Sequence, residues 1–69
     1  MAQQNHALIA YRLLHGLTQD ELAELIGIKQ PYVCKLEKDS SKAPDFELAK
    51  EFAKLFNVEI GLIFREYRL

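Results

Sequence analysis

An all-α fold, a compact bundle of five short helices, follows from three features of this chain. Helix start signals recur at Asn5, at Thr18-x-x-Glu21 and at Asp45, and stop signals follow at Gly16, Gly27 and Asn57. Between them apolar residues return at helical spacing, as in Leu22, Ala23 and Ile26 and again in Val33 and Leu36. At 69 residues the chain is expected to be one domain, near the lower limit for a core without disulfides, and 49% hydrophobic residues suffice to fill that core.

Each element has a local reason. Helix 1 is expected over about residues 5–15, capped by the Asn5 side chain and stopped by Gly16. Helix 2 starts at Thr18, where the hydroxyl and the Glu21 carboxylate can satisfy two otherwise free N–H groups. Gly27 ends it, since glycine takes the positive φ of a tight turn, and Ile28 plugs the corner. Helix 3 is expected over about residues 30–38. Pro31 disfavours helical geometry at the residue before it, so Gln30 is expected to cap and Pro31 to be the first helical residue. Residues 38–44 form a polar loop. Helix 4 is capped by Asp45 and ends near Phe56, with Asn57 closing it in the left-handed conformation. A last helix from about Glu59 carries Ile60, Ile63 and Phe64, and residues 65–69 extend it or form an arm.

Helices 2 and 3 therefore meet at a fixed angle across a tight turn, with the small Ala23 where they approach most closely. That arrangement serves mainly to present the second helix to DNA. The chain here resembles the phage-repressor/Cro-type (XRE-like) helix-turn-helix family of small prokaryotic DNA-binding regulators. The residues that carry the likeness are Arg12, Gly16, Leu17, Thr18, Gln19, Leu22, Ala23, Gly27, Ile28, Leu36 and Glu37. Pro44, Phe46, Phe52, Ala53, Phe56 and Val58 match the family's later core positions, so the likeness covers about residues 8–64. It implies a cytoplasmic, bacterial or phage transcriptional regulator, most often a repressor. Its partner is double-stranded DNA, bound at an operator by a homodimer with helix 3 in the major groove.

Lys29, Gln30, Tyr32 and Lys35 point away from Ile28, Val33 and Leu36 and are the candidate base contacts. Gln30 can pair with adenine N6/N7, Lys35 can donate to guanine O6/N7, and Tyr32 offers a ring edge to a thymine methyl. On its own such a face is an ordinary solvated helix surface; its place in the motif marks it as a reading surface. The resemblance assigns Gln19 to a phosphate and to bracing the adjacent base contact, a role suited to a helix N-terminus. The N–H groups of the loop from Lys38 onward, with the Ser40, Ser41 and Lys42 side chains, are the other expected phosphate contacts. By the same resemblance Arg12 and Glu37 form an ion pair tying helix 1 to the end of helix 3.

The chain also departs from its relatives. Helix 1 carries Ile9, Leu13 and Leu14 where they often place charged residues, and Ile9 and Leu13 share a face. Ile60, Leu62, Ile63, Phe64, Tyr67 and Leu69 form a second apolar excess. Two readings stand: a wider core that includes the tail, or a protein interface through Ile9, Leu13, Leu62, Phe64, Tyr67 and Leu69. The interface favours a symmetric homodimer and leaves room for a protein antagonist or another partner. A rival function follows, a protein-interaction module that neutralises a toxin or captures a regulator.

A net charge of −1 runs against the basic balance usual for a DNA binder. Distribution offsets it: Lys29, Lys35, Lys38 and Lys42 cluster in and after helix 3, Asp20, Glu21 and Glu24 lie on helix 2, and further acids spread over residues 45–66. Such a dipolar chain approaches DNA by its basic face, with weak non-specific affinity expected. The single Cys34 excludes an intrachain disulfide or a cysteine zinc finger, and its place beside the DNA face gives redox control little support. His6 and His15 are nine apart with no third ligand nearby, so no metal is expected. Glu47 with Lys50 and Glu51 with Lys54 read as helix-surface pairs. There is no catalytic constellation, so neither an enzyme nor a cofactor is expected. Nothing in the sequence suggests export, membrane insertion or a separate ligand-sensing domain.

Overall fold

Asn5 begins the fold and ties three parts of it together. Its side-chain oxygen accepts the Leu8 N–H at 3.0 Å and so opens the first helix, α1 (His6–Leu14). Its Nδ2 donates to the Ile63 carbonyl at 2.9 Å, and its own N–H donates to the Glu37 carbonyl at 2.8 Å. A buried amide with its groups satisfied in this way orders elements far apart in sequence. The computed structural model describes residues 3–69; residues 1 and 2, counted in the expected domain, lie outside the described residues.

Five α-helices and no strand make up the described residues. The second helix, α2 (Gln19–Ile26), opens with the expected capping box: Thr18 Oγ accepts from the Glu21 N–H at 3.0 Å, and Glu21 Oε1 accepts from the Thr18 N–H at 2.9 Å. Gly27 closes it at φ 88°, a conformation that a side chain would strain. The turn then leads into α3 (Gln30–Lys38), the helix against which α2 packs most extensively. Asp45 caps α4 (Phe46–Phe56) through the Leu48 N–H at 2.9 Å, and Asn57 ends it at φ 58°. A single turn, α5 (Ile60–Ile63), precedes a short 3-10 turn, Arg65–Tyr67.

Leu8, Leu22, Val33, Leu36, Phe52 and Phe64 are the large side chains wholly out of solvent, so every helix but α5 supplies one, and α5 contributes the buried Ile63. Phe52 and Phe64 meet edge to face, with ring centroids 5.4 Å apart and planes at 80°, the geometry that aromatic quadrupoles favour.

The structure corrects several expectations. Phe64 does not belong to the last helix or to an outer interface: it is 0% exposed, in extended backbone just past α5. Residues 65–69 neither extend α5 nor project as an arm, because the 3-10 turn folds back. Tyr67 is half-buried, its hydroxyl donating to the Pro44 carbonyl at 2.6 Å, and it lines one groove with Phe46, Leu62 and Leu69. Gly61 permits this return, since a Cβ there would lie 3.0 Å from the Arg68 Cα and 3.3 Å from the Tyr67 carbonyl oxygen. The wider-core reading fails at Leu13 and Leu14, which are 61% and 79% exposed, while Ile9 is half-buried. Phe46, matched to a core position, is 51% exposed against Tyr67 and Lys50, because α4 turns its first residue outward.

Both ties can be tested by substitution. Asn5→Ala removes a cap and strands a buried carbonyl, which should cost about 2–4 kcal/mol in urea unfolding. Asn5→Asp keeps the cap and should recover only part of that. A loss below about 1 kcal/mol for the alanine variant would show that the Ile63 bond contributes little. Burial, with Glu66 and Asp45 nearby, holds the Tyr67 hydroxyl above its ordinary range. Its contribution is therefore complete below about pH 10, the unfolded value, and is lost as pH rises through the higher folded value. Alkaline melting curves should show this decline in the native chain and a flatter one in Tyr67→Phe.

Candidate nucleic-acid interface

The Glu37 carboxylate, at the end of α3, organises the surface expected to face DNA. Arg12 reaches it from α1 with Nε 2.6 Å from Oε2 and a second nitrogen 3.2 Å from Oε1, while its remaining arm donates to the Leu17 carbonyl at 2.9 Å. Gln19, at the start of α2, donates its amide nitrogen to Glu37 Oε1 at 2.9 Å. Gln30 in turn donates its amide nitrogen to Gln19 Oε1 at 2.7 Å.

The direction of this relay has a chemical cause. An ionised carboxylate only accepts, so Gln19 must turn its NH₂ to Glu37 and its oxygen outward. That oxygen fixes the Gln30 NH₂ in the same sense. Gln30 is left with its side-chain oxygen and one N–H beyond the relay, an adjacent acceptor and donor on the first residue of α3.

Gln30 is not the N-cap that the sequence suggested. Lys29 has extended backbone, φ −92° and ψ 148°, and its carbonyl accepts the Tyr32 N–H at 3.0 Å, so Lys29 caps, Gln30 is the first helical residue and Pro31 the second. Proline is tolerated at either place, because the first turn's N–H groups have no helical partner in any case. The Lys29 and Lys35 side chains are exposed on this face. Tyr32 is half-buried against the core, so it is not a free member of the polar face.

The loop after α3 also differs from expectation. The Ser40 N–H donates to the Gln3 carbonyl at 2.6 Å and the Lys42 N–H to the Asp39 carbonyl at 3.0 Å. Asp39 Oδ1 accepts both the Ser41 N–H, at 2.9 Å, and the Ser41 hydroxyl, at 2.6 Å, and these bonds hold the Asp39 carboxyl below the usual range. The backbone donors of Ser40, Ser41 and Lys42 are thus engaged within the protein, the first by Gln3 and the others inside the loop, as is the Ser41 hydroxyl. What the loop offers outward is the exposed Lys38 and Lys42 ammonium groups and the Ser40 hydroxyl. Sequence periodicity carried no signal of either the amide relay or these internal bonds.

Elsewhere His15 leans its ring edge on Phe56, Cys34 is a half-buried free thiol, and Lys50–Glu47 and Lys54–Glu51 pair at 3.4 and 3.8 Å. Among the described residues no group of three or more His, Cys, Asp or Glu side chains could hold a metal ion, and no helix is long and apolar enough to cross a membrane.

The Arg12 and Glu37 side chains are 13% and 5% exposed, so breaking their pair leaves a charge in a poorly solvated place. Glu37→Ala should therefore cost about 3–5 kcal/mol in chemical unfolding, and Arg12→Ala a similar amount. A cost under about 1 kcal/mol would match a surface pair instead.

Three comparisons bear on this geometry. A family model described as Helix-turn-helix matches residues 8–63. An HTH-type transcriptional regulator of Methanocaldococcus jannaschii is 41% identical over 54 residues, which span 78% of this chain and 80% of that relative. An HTH-type transcriptional regulator of Archaeoglobus fulgidus is 35% identical over 54 residues, 78% of this chain and 76% of the relative. With α2 and α3 joined at a left-handed Gly27 and the match running across nearly the whole fold, the chain belongs to the helix-turn-helix family of transcriptional regulators.

Proposed function

We propose that this regulator binds a specific operator as a homodimer, lays α3 in the major groove and represses by occupying the site. The observation that carries the reading is the amide relay from Glu37 through Gln19 to Gln30. It presents an oriented acceptor and donor at the N-terminal end of α3, the pairing that adenine N6 and N7 require. Lys35 adds a donor for guanine, with Lys29 at the entrance of the helix and Tyr32 supplying a ring edge rather than a flexible contact. Gln19 at the start of α2, with Lys38, Ser40 and Lys42, holds the phosphates and sets the register.

Homodimerisation is supported by the apolar surface left open near the chain end. Phe46 and Leu62, each 51% exposed, line an apolar groove of about 680 Å³ together with Leu69. Paired half-sites one DNA turn apart need a symmetric contact of this kind. Exposed Leu13 and Leu14 favour a second reading, in which the end of α1 receives another protein.

Selection of sites from random duplex DNA at about 0.15 M salt tests the proposal. The native chain should enrich an inverted repeat. Lys35→Ala should alter the base preferred at one position per half-site, whereas Lys42→Ala should weaken all sequences alike. No enrichment from folded protein would favour the protein-binding reading. Equal, non-specific weakening by both variants would remove the division between reading and positioning.

A further inference from the structure

A cavity of about 220 Å³ opens where the start of α1 meets the α3–α4 loop and the chain end. Its polar lining includes His6, Ser40, Arg65 and Arg68. Ser40 belongs to the loop already assigned to phosphates, and Arg65 lies near enough to act on the Asp39 carboxyl in the same loop. The cavity therefore borders the loop that carries Lys42 and follows Lys38.

Three residues per turn is the repeat of a 3-10 helix, so Arg65 and Arg68 come to the same side of the chain-end turn and Glu66 is carried a third of a turn away. Among the described residues neither arginine is in an ion pair; the pairs that form use Arg12, Lys50 and Lys54. Arg68 makes only a long hydrogen bond, 3.4 Å, from Nε to the Gly61 carbonyl, which leaves its terminal nitrogens to other acceptors. The Asp39 carboxylate, which feels the Arg65 charge, accepts its hydrogen bonds from the Ser41 N–H and hydroxyl rather than from either arginine. Two exposed guanidinium groups outside any ion pair, at a cavity beside the loop assigned to phosphates, have the fork geometry that phosphate oxygens accept.

We propose that Arg65 and Arg68, with His6 and Ser40, grip a phosphodiester of the DNA backbone just outside the stretch read by α3. The inference rests on the DNA-binding reading and extends it. It adds a clamp from the chain end, where the motif itself has no residues. The clamp carries no sequence information, so it raises affinity for all duplexes and holds the α3–α4 loop against the strand.

Binding of the full chain to its selected duplex, measured over a salt series, tests this. The double variant Arg65→Ala/Arg68→Ala should bind every duplex more weakly with unchanged base preference. Its slope of log affinity against log salt should be shallower by about one for each bound chain, roughly 0.9 for the phosphate that is no longer neutralised. Arg65→Lys/Arg68→Lys keeps both charges and should retain most of the slope. Both arginines are exposed, and matching melting curves would confirm that each variant folds. An unchanged slope in the alanine variant, beside a decrease of about one in Lys42→Ala, would overturn the clamp while leaving the DNA reading intact. Absence of duplex binding by the native chain would overturn both. Shifts of the Arg65 and Arg68 side-chain NMR signals with inorganic phosphate alone, with the duplex slope unaltered in the alanine variant, would assign the cavity to a free anion and overturn the DNA contact.

Discussion

One buried charge governs this fold. Glu37 is 4% exposed, and each helix around the candidate interface reaches it: α1 through the Arg12 guanidinium, α2 through the Gln19 amide, and the chain before α1 through the Asn5 N–H on its carbonyl. Desolvating a carboxylate is costly, and only full satisfaction of its lone pairs offsets the cost. The structure meets that demand with donors from two elements, Arg12 of α1 and Gln19 of α2, so the angle between α2 and α3 is held by polar geometry as well as by the packing of Leu22, Ala23, Val33 and Leu36. The same demand orients two glutamine amides in series. A structural ion pair and the side chain proposed to read a base are thus parts of one network.

The second constraint is the return of the chain end. Phe64 fills the core beside Phe52, the Ile63 carbonyl accepts from Asn5, and Tyr67 reaches back to Pro44. These contacts make the last residues part of the bundle rather than an appendage. They also bring Arg65 and Arg68 to a cavity that Ser40 of the α3–α4 loop helps to line.

What could be read from the sequence was whatever is decided locally. The Thr18 capping box, the Asp45 cap, the left-handed Gly27 and Asn57, and the limits of α3 all depend on residues within one turn of each other. The misreadings share the opposite property. Helical spacing cannot tell that Phe64 turns inward after α5 has ended, that Leu13 stays in solvent, or that Phe46 opens α4 on its outer side, because each is settled by distant elements. The Gln30 cap was misplaced by one residue for a subtler reason: proline is tolerated at the second helical position as well as at the favoured first, and the extended Lys29 backbone decides between them. In the loop, residue types announced donors correctly, but only the folded chain shows that Asp39 and Gln3 already hold most of them.

Net charge gives little guidance to function here because the two signs are placed differently. Asp20, Glu21, Asp45 and Glu47 sit in the first turns or caps of α2 and α4, where the positive end of the helix dipole partly cancels their field. Lys29, Lys35, Lys38 and Lys42 have no ion-pair partner among the described residues, and of the four only Lys35 and Lys38 lie in the last turn of a helix, where its dipole partly offsets them. A surface of this kind attracts a polyanion locally although the chain as a whole is slightly acidic. The consequence for recognition is directional. Sequence-independent attraction grows with the number of phosphates neutralised, so a chain with few cations has a small background on random DNA. On the proposed reading, discrimination then depends on how well a handful of side chains are held, and the Glu37 relay holds Gln30 without any additional positive charge.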